Sequence, residues 1–524
     1  MDSLRKKPIA APPEIPTPAV KKTYIPHYSS REELYIPKEE TLPVPKVATS
    51  PKNKNRLRKI LWLILLIIVL SIFSYLTFFL WKTYAVSKKM NVSSQTTFSQ
   101  DIKTLIAPVI PSTEKHFLQG EDAGRVNILL MGAAGEHQPG GNLTDTIMIM
   151  SIDTKNKKIA LLSLPRDFYV PIPQTTSFTK INSLYKIGVN NNQGADLVRQ
   201  TVEKITDLKI NYYVTVDFAA FEKIIDDIGG VNIISSRDIY DARYPGPNYS
   251  YQTFSLAKGA HLLDGKTALQ YVRERHDDPE GDFGRAKRQQ QVIQAVKNRV
   301  FSAATLLNVV ALNNVLDALG NNVKTDMSFD DIDQFIQLSK TLDTQNITNV
   351  VVDAWKPDSL LKVSHVTVGN VQAFILVPRV GNYSEIQDLA KNIFDQNEIK
   401  KRQDAIVNES ANIAIINQSG DANLGNKIKK LLSEKLGMKD VHVVSSKTNG
   451  LAAATQISAN VAGEGKIFTL DELIKKLPAS LDQQKNSADN DITITLGSDL
   501  IDVYKYEEDS IDDFNKAQDD DIQF

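Results

Sequence analysis

VNILLMG (126–132), TIMIMSID (146–153) and KIALLSLP (158–165) are three short apolar runs, each bounded by glycine or polar residues. They read as strands of a sheet core. GADLVRQTVEKIT (194–206) and FAAFEKIIDDIGG (218–230) follow with helical spacing, the second ending in a glycine pair suited to a helix C-cap. The alternation continues through NVVVDAW (349–355), VQAFILVP (371–378) and a helix near 383–394. Strands mixed with helices predict an α/β or α+β domain over residues 123–397. A polar linker is expected over 398–410. A small α/β module follows over 411–504, built on ANIAIINQSG, LGNKIKKLLSEKLG, VHVVSSK and DITITLGSDL. The tail, 505–524, holds eight acidic residues against two lysines and is expected to be solvated and disordered.

Upstream lies a different kind of sequence. Residues 60–81, ILWLILLIIVLSIFSYLTFFLW, carry no charge over 22 positions, enough to cross a hydrocarbon core of about 30 Å at about 1.5 Å per residue. A transmembrane signal-anchor helix is predicted over 60–84. Lys52, Lys54, Arg56, Arg58 and Lys59 precede it, against Lys82, Lys88 and Lys89 after it, so the N-terminus is expected in the cytoplasm and the large C-terminal part outside. Residues 1–51 hold 10 of the 22 prolines, and such a segment buries too little apolar surface to offset its ordering entropy. Residues 1–59 therefore read as a disordered, basic cytoplasmic tail, and 85–122 as a stalk. The chain carries a net charge of +7 up to Lys59 and −8 beyond it. Without cysteine it has no disulfide and no thiolate site.

The chemistry concentrates in YVRERHDDPEGDFGRAKRQQ (271–290), five cations in twenty residues. If Leu269 to Arg275 runs extended, Arg273 and Arg275 share a face. A helix opening near Asp282 places Arg285 in line with Val292 and Val296, with Gln289 about 40° away. A guanidinium heading an apolar stripe needs an anionic partner, and arginine forks at a helix start suit phosphate or diphosphate oxygens. The competing reading is a salt-bridged surface in which Glu274, Asp277, Asp278, Glu280 and Asp282 neutralise the arginines.

NLTDTIMIMSID, SLPRDFYV, KINSLY, LDGKTALQYVRER and DFGRAKRQQ, in that order behind one signal anchor, resemble the LytR-CpsA-Psr family. The terminal module is similar to the LytR C-terminal domain. The resemblance implies an α/β/α sandwich with a mixed central sheet, preceded by one transmembrane helix and followed by a small α/β domain. It implies a phosphotransferase on the outer face of the cell membrane, which attaches a polyprenyl-diphosphate-linked glycopolymer to peptidoglycan and releases polyprenyl phosphate. Its partners would be that lipid-linked glycan, peptidoglycan and membrane lipid, with no nucleic acid.

Carried over by position, Asp145, Arg166 and Asp167 become the candidate catalytic residues. Arg166, Lys180, Arg273, Arg275, Arg285 and Gln289 become the candidate diphosphate contacts, and Arg288 of the same cationic run is counted with them. Asp145 matches a carboxylate that helps hold Mg²⁺ or Mn²⁺, for which hard oxygen ligands are the natural pairing. The sequence departs from the family pattern twice. Gly132-Ala133-Ala134 stands where Gly-x-Asp is usual, and Leu143 stands where an arginine is usual. Glu136 is the candidate to supply the missing carboxylate from a shifted position. The alternatives are a polyprenyl diphosphate hydrolase, a cell-wall binding or regulatory protein with weakened catalysis, and a DNA-binding protein. The predicted topology speaks against the last, because the cationic cluster lies on the exported side.

Overall fold

The computed structural model describes residues 116–135, 140–246, 250–275, 278–300, 323–356, 358–369, 371–445, 450–460, 465–486 and 490–513. The predicted cytoplasmic tail, the transmembrane helix, most of the stalk, Glu136 and residues 514–524 lie outside these. Among the described residues no helix is long and apolar enough to cross a membrane.

The three quoted runs form β1 (Arg125–Ala133), β2 (Thr144–Asp153) and β3 (Lys158–Leu164), a meander of antiparallel neighbours. Three later strands extend it: β6 (Tyr212–Asp217) pairs parallel with β1, β12 (Asp343–Val351) pairs parallel with β3, and β11 (Val323–Thr325) caps the β6 edge antiparallel. The result is a mixed six-stranded sheet in the order β11-β6-β1-β2-β3-β12. It is buried on both faces, which is why its central strands are apolar throughout. On one face Leu129, Met131, Ile147 and Ile149 pack with Leu184 of α1 (Ser183–Asn190) and with Leu197 and Val198 of α2 (Asp196–Thr206). On the other, Val126, Ile128, Ile152 and Ile159 pack with Leu118 and with Leu338 from a helix over Phe329–Ser339. Each fully buried side chain of this size stabilises the fold by roughly 1.5–3 kcal/mol. Leu118 is only 2% exposed, and the His116 Nε2 to Asp331 contact is 3.0 Å, so the last residues assigned to the stalk belong to this domain.

Beside the sheet lies a second core. It is covered by α3 (Phe218–Asp227), α4 (Gly265–Arg273), α5 (Gly281–Val300) and two hairpins, β7 (Val231–Ser235) with β10 (Gly259–Leu263) and β8 (Ile239–Pro245) with β9 (Tyr251–Leu256). The expectation that Leu269 to Arg275 runs extended is corrected here. Asp264 caps α4 by accepting from Thr267 N at 2.8 Å, and Ala268, Leu269, Tyr271 and Val272 supply a helical buried face. Gly265 allows α4 to reach α3, because a Cβ there would lie 2.2 Å from the Glu222 carbonyl oxygen. The helix Phe329–Ser339 of the first core is α6.

Two further hairpins complete the first domain, β4 (Tyr169–Pro171) with β5 (Phe178–Lys180) and β13 (Leu361–Val368) with β14 (Val371–Pro378), followed by α7 (Ser384–Lys391). The stretch expected as a polar linker is helical, α8 (Asn397–Glu409). Its polarity reflects an exposed helix with one buried anchor, Ile406. The terminal module has five strands in the order β16-β15-β19-β17-β18: β15 (Asn412–Asn417), β16 (Asp440–Val444), β17 (Gln456–Asn460), β18 (Ser480–Asn486) and β19 (Ile492–Leu496). They pack with α9 (Leu424–Lys430) and α10 (Ile467–Lys476) around Ile413, Ile415, Ile428, Leu473 and Ile494. This module is fastened to the first domain: Asp388 of α7 meets Lys475 at 3.1 Å and Lys476 at 3.0 Å, and Tyr504 donates its hydroxyl to the Val380 carbonyl at 2.8 Å.

Candidate active site

The β1–β2 pairing slips at its open end. Gly132 faces Thr146 and Ala133 faces Thr144, so Asp145 is the extra residue of a bulge, a device that re-aims a side chain at the end of a ladder. Asp145 thereby lines a shallow, open cleft. Ser163, Leu164 and Pro165 from the end of β3, Arg166 just after it, Val351 of β12, and Phe283, Arg285 and Gln289 of α5 form the remaining walls.

Two guanidinium groups meet Asp145, one at its carboxylate and one at its backbone carbonyl. Arg166 Nη1 lies 3.0 Å from Asp145 Oδ1, and its Nε lies 3.3 Å from Asp167 Oδ2. Arg285, only 6% exposed, donates from Nη2 to the Asp145 carbonyl oxygen at 3.3 Å. Asp167 is buried and is held on its other oxygen by Lys180 Nζ at 2.7 Å. Lys180 arrives on β5 opposite Tyr169. Gln289 donates to the Val272 carbonyl at 3.3 Å, tying α5 to the end of α4. Asp145, Arg166, Arg285 and Gln289 thus share the cleft, with Asp167 and Lys180 behind Arg166.

Arg288 and Arg273 make other contacts. The Arg288 Nη2 group lies 3.0 Å from the carboxylate of fully buried Glu274, and Nη1 pairs with Asp278. Its Nε donates to the Tyr271 carbonyl at 2.9 Å, and Arg237 approaches the same two acids at 3.7 and 3.8 Å. Arg288 thus makes the kind of contact that the salt-bridge reading describes, because helix α5 carries it toward the α4 end. Arg273 lies over the Phe218 ring at 4.3 Å and 5.7 Å from the Tyr244 ring. Since α4 ends at Arg273, with Arg275 just beyond it, the two do not share a strand face.

Among the described residues no three His, Cys, Asp or Glu side chains gather in a way that could hold a metal ion. Asp145, with Arg166 already on one oxygen, fits a divalent ion only if phosphate oxygens of a substrate complete the shell, which is the usual arrangement for Mg²⁺. One carboxylate escaped the sequence reading. Asp217 ends β6 in register with Ala133, and a Cβ at Gly135 (φ +103) would lie 3.5 Å from its Oδ2. It caps α3 by accepting from Ala220 N at 2.8 Å, and burial pushes its carboxyl up. In sequence it was only the polar end of YYVTVD, and the pairing of β1 with β6 is what brings it beside the Gly132-Ala133-Ala134 stretch.

The sequence profile described as the LytR_cpsA_psr family matches residues 78–372, more than half of the chain. The chain belongs to this family. The polyisoprenyl-teichoic acid–peptidoglycan teichoic acid transferase TagU of Oceanobacillus iheyensis is 38% identical over 206 residues, 39% of this chain and 60% of that protein. The regulatory protein MsrR of Staphylococcus aureus is 40% identical over 195 residues, 37% of this chain and 54% of that protein. The chain thus spans less than two thirds of the length of these curated relatives. A crystal structure of TagV from B. subtilis aligns with 52% of this family member and 97% of that chain, at 27% identity and a TM-score of 0.41.

Proposed function

We propose that this family member is a membrane-anchored extracytoplasmic phosphotransferase. It attaches a polyprenyl-diphosphate-linked glycopolymer to peptidoglycan and releases polyprenyl phosphate. The observation that carries the reading is the placing of Arg166, on the Asp145 carboxylate, and Arg285, on the Asp145 carbonyl, in one cleft. Two guanidinium forks beside an open cleft suit the non-bridging oxygens of a diphosphate, and phosphoryl transfer needs positioning and charge stabilisation more than a covalent nucleophile. Arg166 and Arg285 hold the diphosphate in this reading, Lys180 and Asp167 keep the Arg166 fork in place, and Asp145 faces the reacting phosphorus. The transferase name carried by the TagU relative supports the same reaction class.

A divalent ion, Mg²⁺ or Mn²⁺, belongs to this reading, held by Asp145 and by substrate oxygens; when bound it neutralises charge on the phosphates. The carboxylate absent from Gly132-Ala133-Ala134 is supplied by Glu136 or by Asp217. Comparing Glu136→Ala with Asp217→Asn, which retains a capping side chain, decides between them by loss of metal-dependent turnover. In this reading the apolar run over residues 60–81 anchors the enzyme in the cell membrane with the described domains outside, where a lipid-borne substrate is met.

The test is to supply a polyprenyl-diphosphate glycan with and without peptidoglycan. Glycan joined to peptidoglycan with release of polyprenyl phosphate is the expected outcome. Release that is the same without peptidoglycan would make the protein a hydrolase, and no release with intact lipid binding would make it a binding protein.

A further inference from the structure

Residues 505–513 do not trail into solvent. They run back from the terminal module across the first domain, which corrects the expectation of a disordered tail for this part of it. Two apolar contacts fasten the segment: Tyr506 meets the Tyr169 ring edge-on at 6.2 Å, and Ile511 packs against the large core of the first domain. Between them lie three consecutive acids, Glu507, Glu508 and Asp509, and each meets a lysine or histidine side chain. Glu507 lies 2.5 Å from Lys427 Nζ, Glu508 3.5 Å from Lys435 Nζ, and Asp509 2.7 Å from His365 Nδ1. Lys362 Nζ donates to the Tyr506 carbonyl at 2.6 Å, and Asp509 N donates to the Val363 carbonyl at 2.9 Å.

The four partners come from both modules, Lys362 and His365 from β13 and Lys427 and Lys435 from in and just beyond α9. Lys427 and Lys435 are set inward of the acids that meet them, 30% and 25% exposed against 67% and 46% for Glu507 and Glu508, whereas His365 at 38% is more open than Asp509 at 21%. Burial lowers the Lys362 ammonium, and the nearby charges of Glu508 and Glu507 work against that. Exposed ion pairs contribute only about 0–1 kcal/mol each, so Tyr506 and Ile511 hold the segment and the acids contribute little to its docking. Two inward-set lysines capped by exposed acids, beside Lys362 and His365 on the same segment, have the geometry of an occupied polyanion site.

We propose that Lys362, His365, Lys427 and Lys435 form a seat for a polyanionic chain of the phosphodiester-polymer class, spanning both modules, and that residues 506–509 occupy it in cis. It goes beyond the transferase reading and rests on it only for the source of the polymer, the glycopolymer whose linkage the cleft would process. Docking of the polymer releases the acidic segment, and Tyr506 then leaves the β4–β5 hairpin that carries Lys180.

The test uses the full chain in detergent with inorganic polyphosphate as probe, so that it does not depend on any transfer activity. In the unsubstituted chain polyphosphate should raise hydrogen exchange at the Asp509 amide. The variant E507Q/E508Q/D509N should bind polyphosphate about tenfold more tightly, the loss of a competitor worth about 1.4 kcal/mol, and adding K427Q/K435Q should remove that gain. Binding with no change at the Asp509 amide, an unchanged affinity in the acid-neutralised variant, or a gain that survives K427Q/K435Q would overturn the proposal. Equal tightening toward duplex DNA would also overturn it, reducing the seat to unspecific charge. These outcomes are independent of whether the cleft transfers or hydrolyses.

Discussion

Arg166 joins the two aspartates of the cleft, with Nη1 3.0 Å from Asp145 and Nε 3.3 Å from Asp167. A planar fork holds both contacts at once in a fixed geometry, which the flexible point charge of a lysine ammonium does not reproduce. Arg166→Lys is therefore expected to retain the fold and to weaken diphosphate-lipid binding by about 1.5–3 kcal/mol, the scale of a charge-assisted hydrogen bond. Calorimetric titration with polyprenyl diphosphate, beside a thermal melt, checks it.

Arg285 and Arg288 lie three residues apart on one helix and should respond differently to the same substitution. Arg285 reaches into the cleft, so Arg285→Ala should cost binding at little change in melting temperature. Arg288→Ala takes the nearer cation from the buried carboxylates of Glu274 and Asp278 and leaves them only the longer contacts to Arg237, and breaking a buried pair typically costs about 3–5 kcal/mol. Denaturant unfolding of both variants separates them. Equal stability losses would mean that Arg285 is structural too.

Asp331 carries a pH dependence. Burial pushes its carboxyl up, but hydrogen bonds from Ser328, His116 and Tyr212 outweigh burial and hold it below the usual range. A depressed acid contributes stability above its unfolded value, about 3.9, and loses it as pH falls through the folded value. The wild type should therefore lose stability below about pH 4, while Asp331→Asn should start lower and lose less over that window. Urea midpoints between pH 6 and pH 3 measure the difference.

The junction between modules gives a further expectation. Asp388 meets Lys475 and Lys476 across it, and Lys476 is only 2% exposed. Asp388→Ala leaves a buried ammonium with Glu472, 3.5 Å away, as its remaining acid partner. The variant should be cleaved sooner by a protease within α8 and melt in a broader transition. Unchanged cleavage would show that Tyr504 and the 505–513 segment suffice to hold the modules.

The sheet core was legible because β1, β2 and β3 are neighbours in sequence as well as in space, so their apolar runs carry the whole signal. What stayed hidden depends on long-range partners. Arg273 reads like Arg285 until α4 is seen to end there, with Arg273 over the Phe218 ring. Arg288 reads as one more cation until its acids are located. Asp217 acquires its place only through the parallel pairing of β6 with β1, and the 505–513 segment looked solvated because its composition is polar while Tyr506 and Ile511 fasten it. The strands β17 and β18 and helix α10 drew no reading, because β18, SLDQQKN, has almost no apolar content.

The bulge at Asp145 also governs which changes the molecule tolerates. Because the irregularity falls where β1 and β2 part, the connection between them can grow, shrink or change composition while every rung below Gly132 and Thr146 stays paired. Loops of this kind are where sequences diverge while their scaffold persists. A single residue removed inside β2 would instead shift each rung and turn the whole strand over. Insertions and deletions should accumulate between Ala134 and Leu143 and be purged between Thr146 and Asp153.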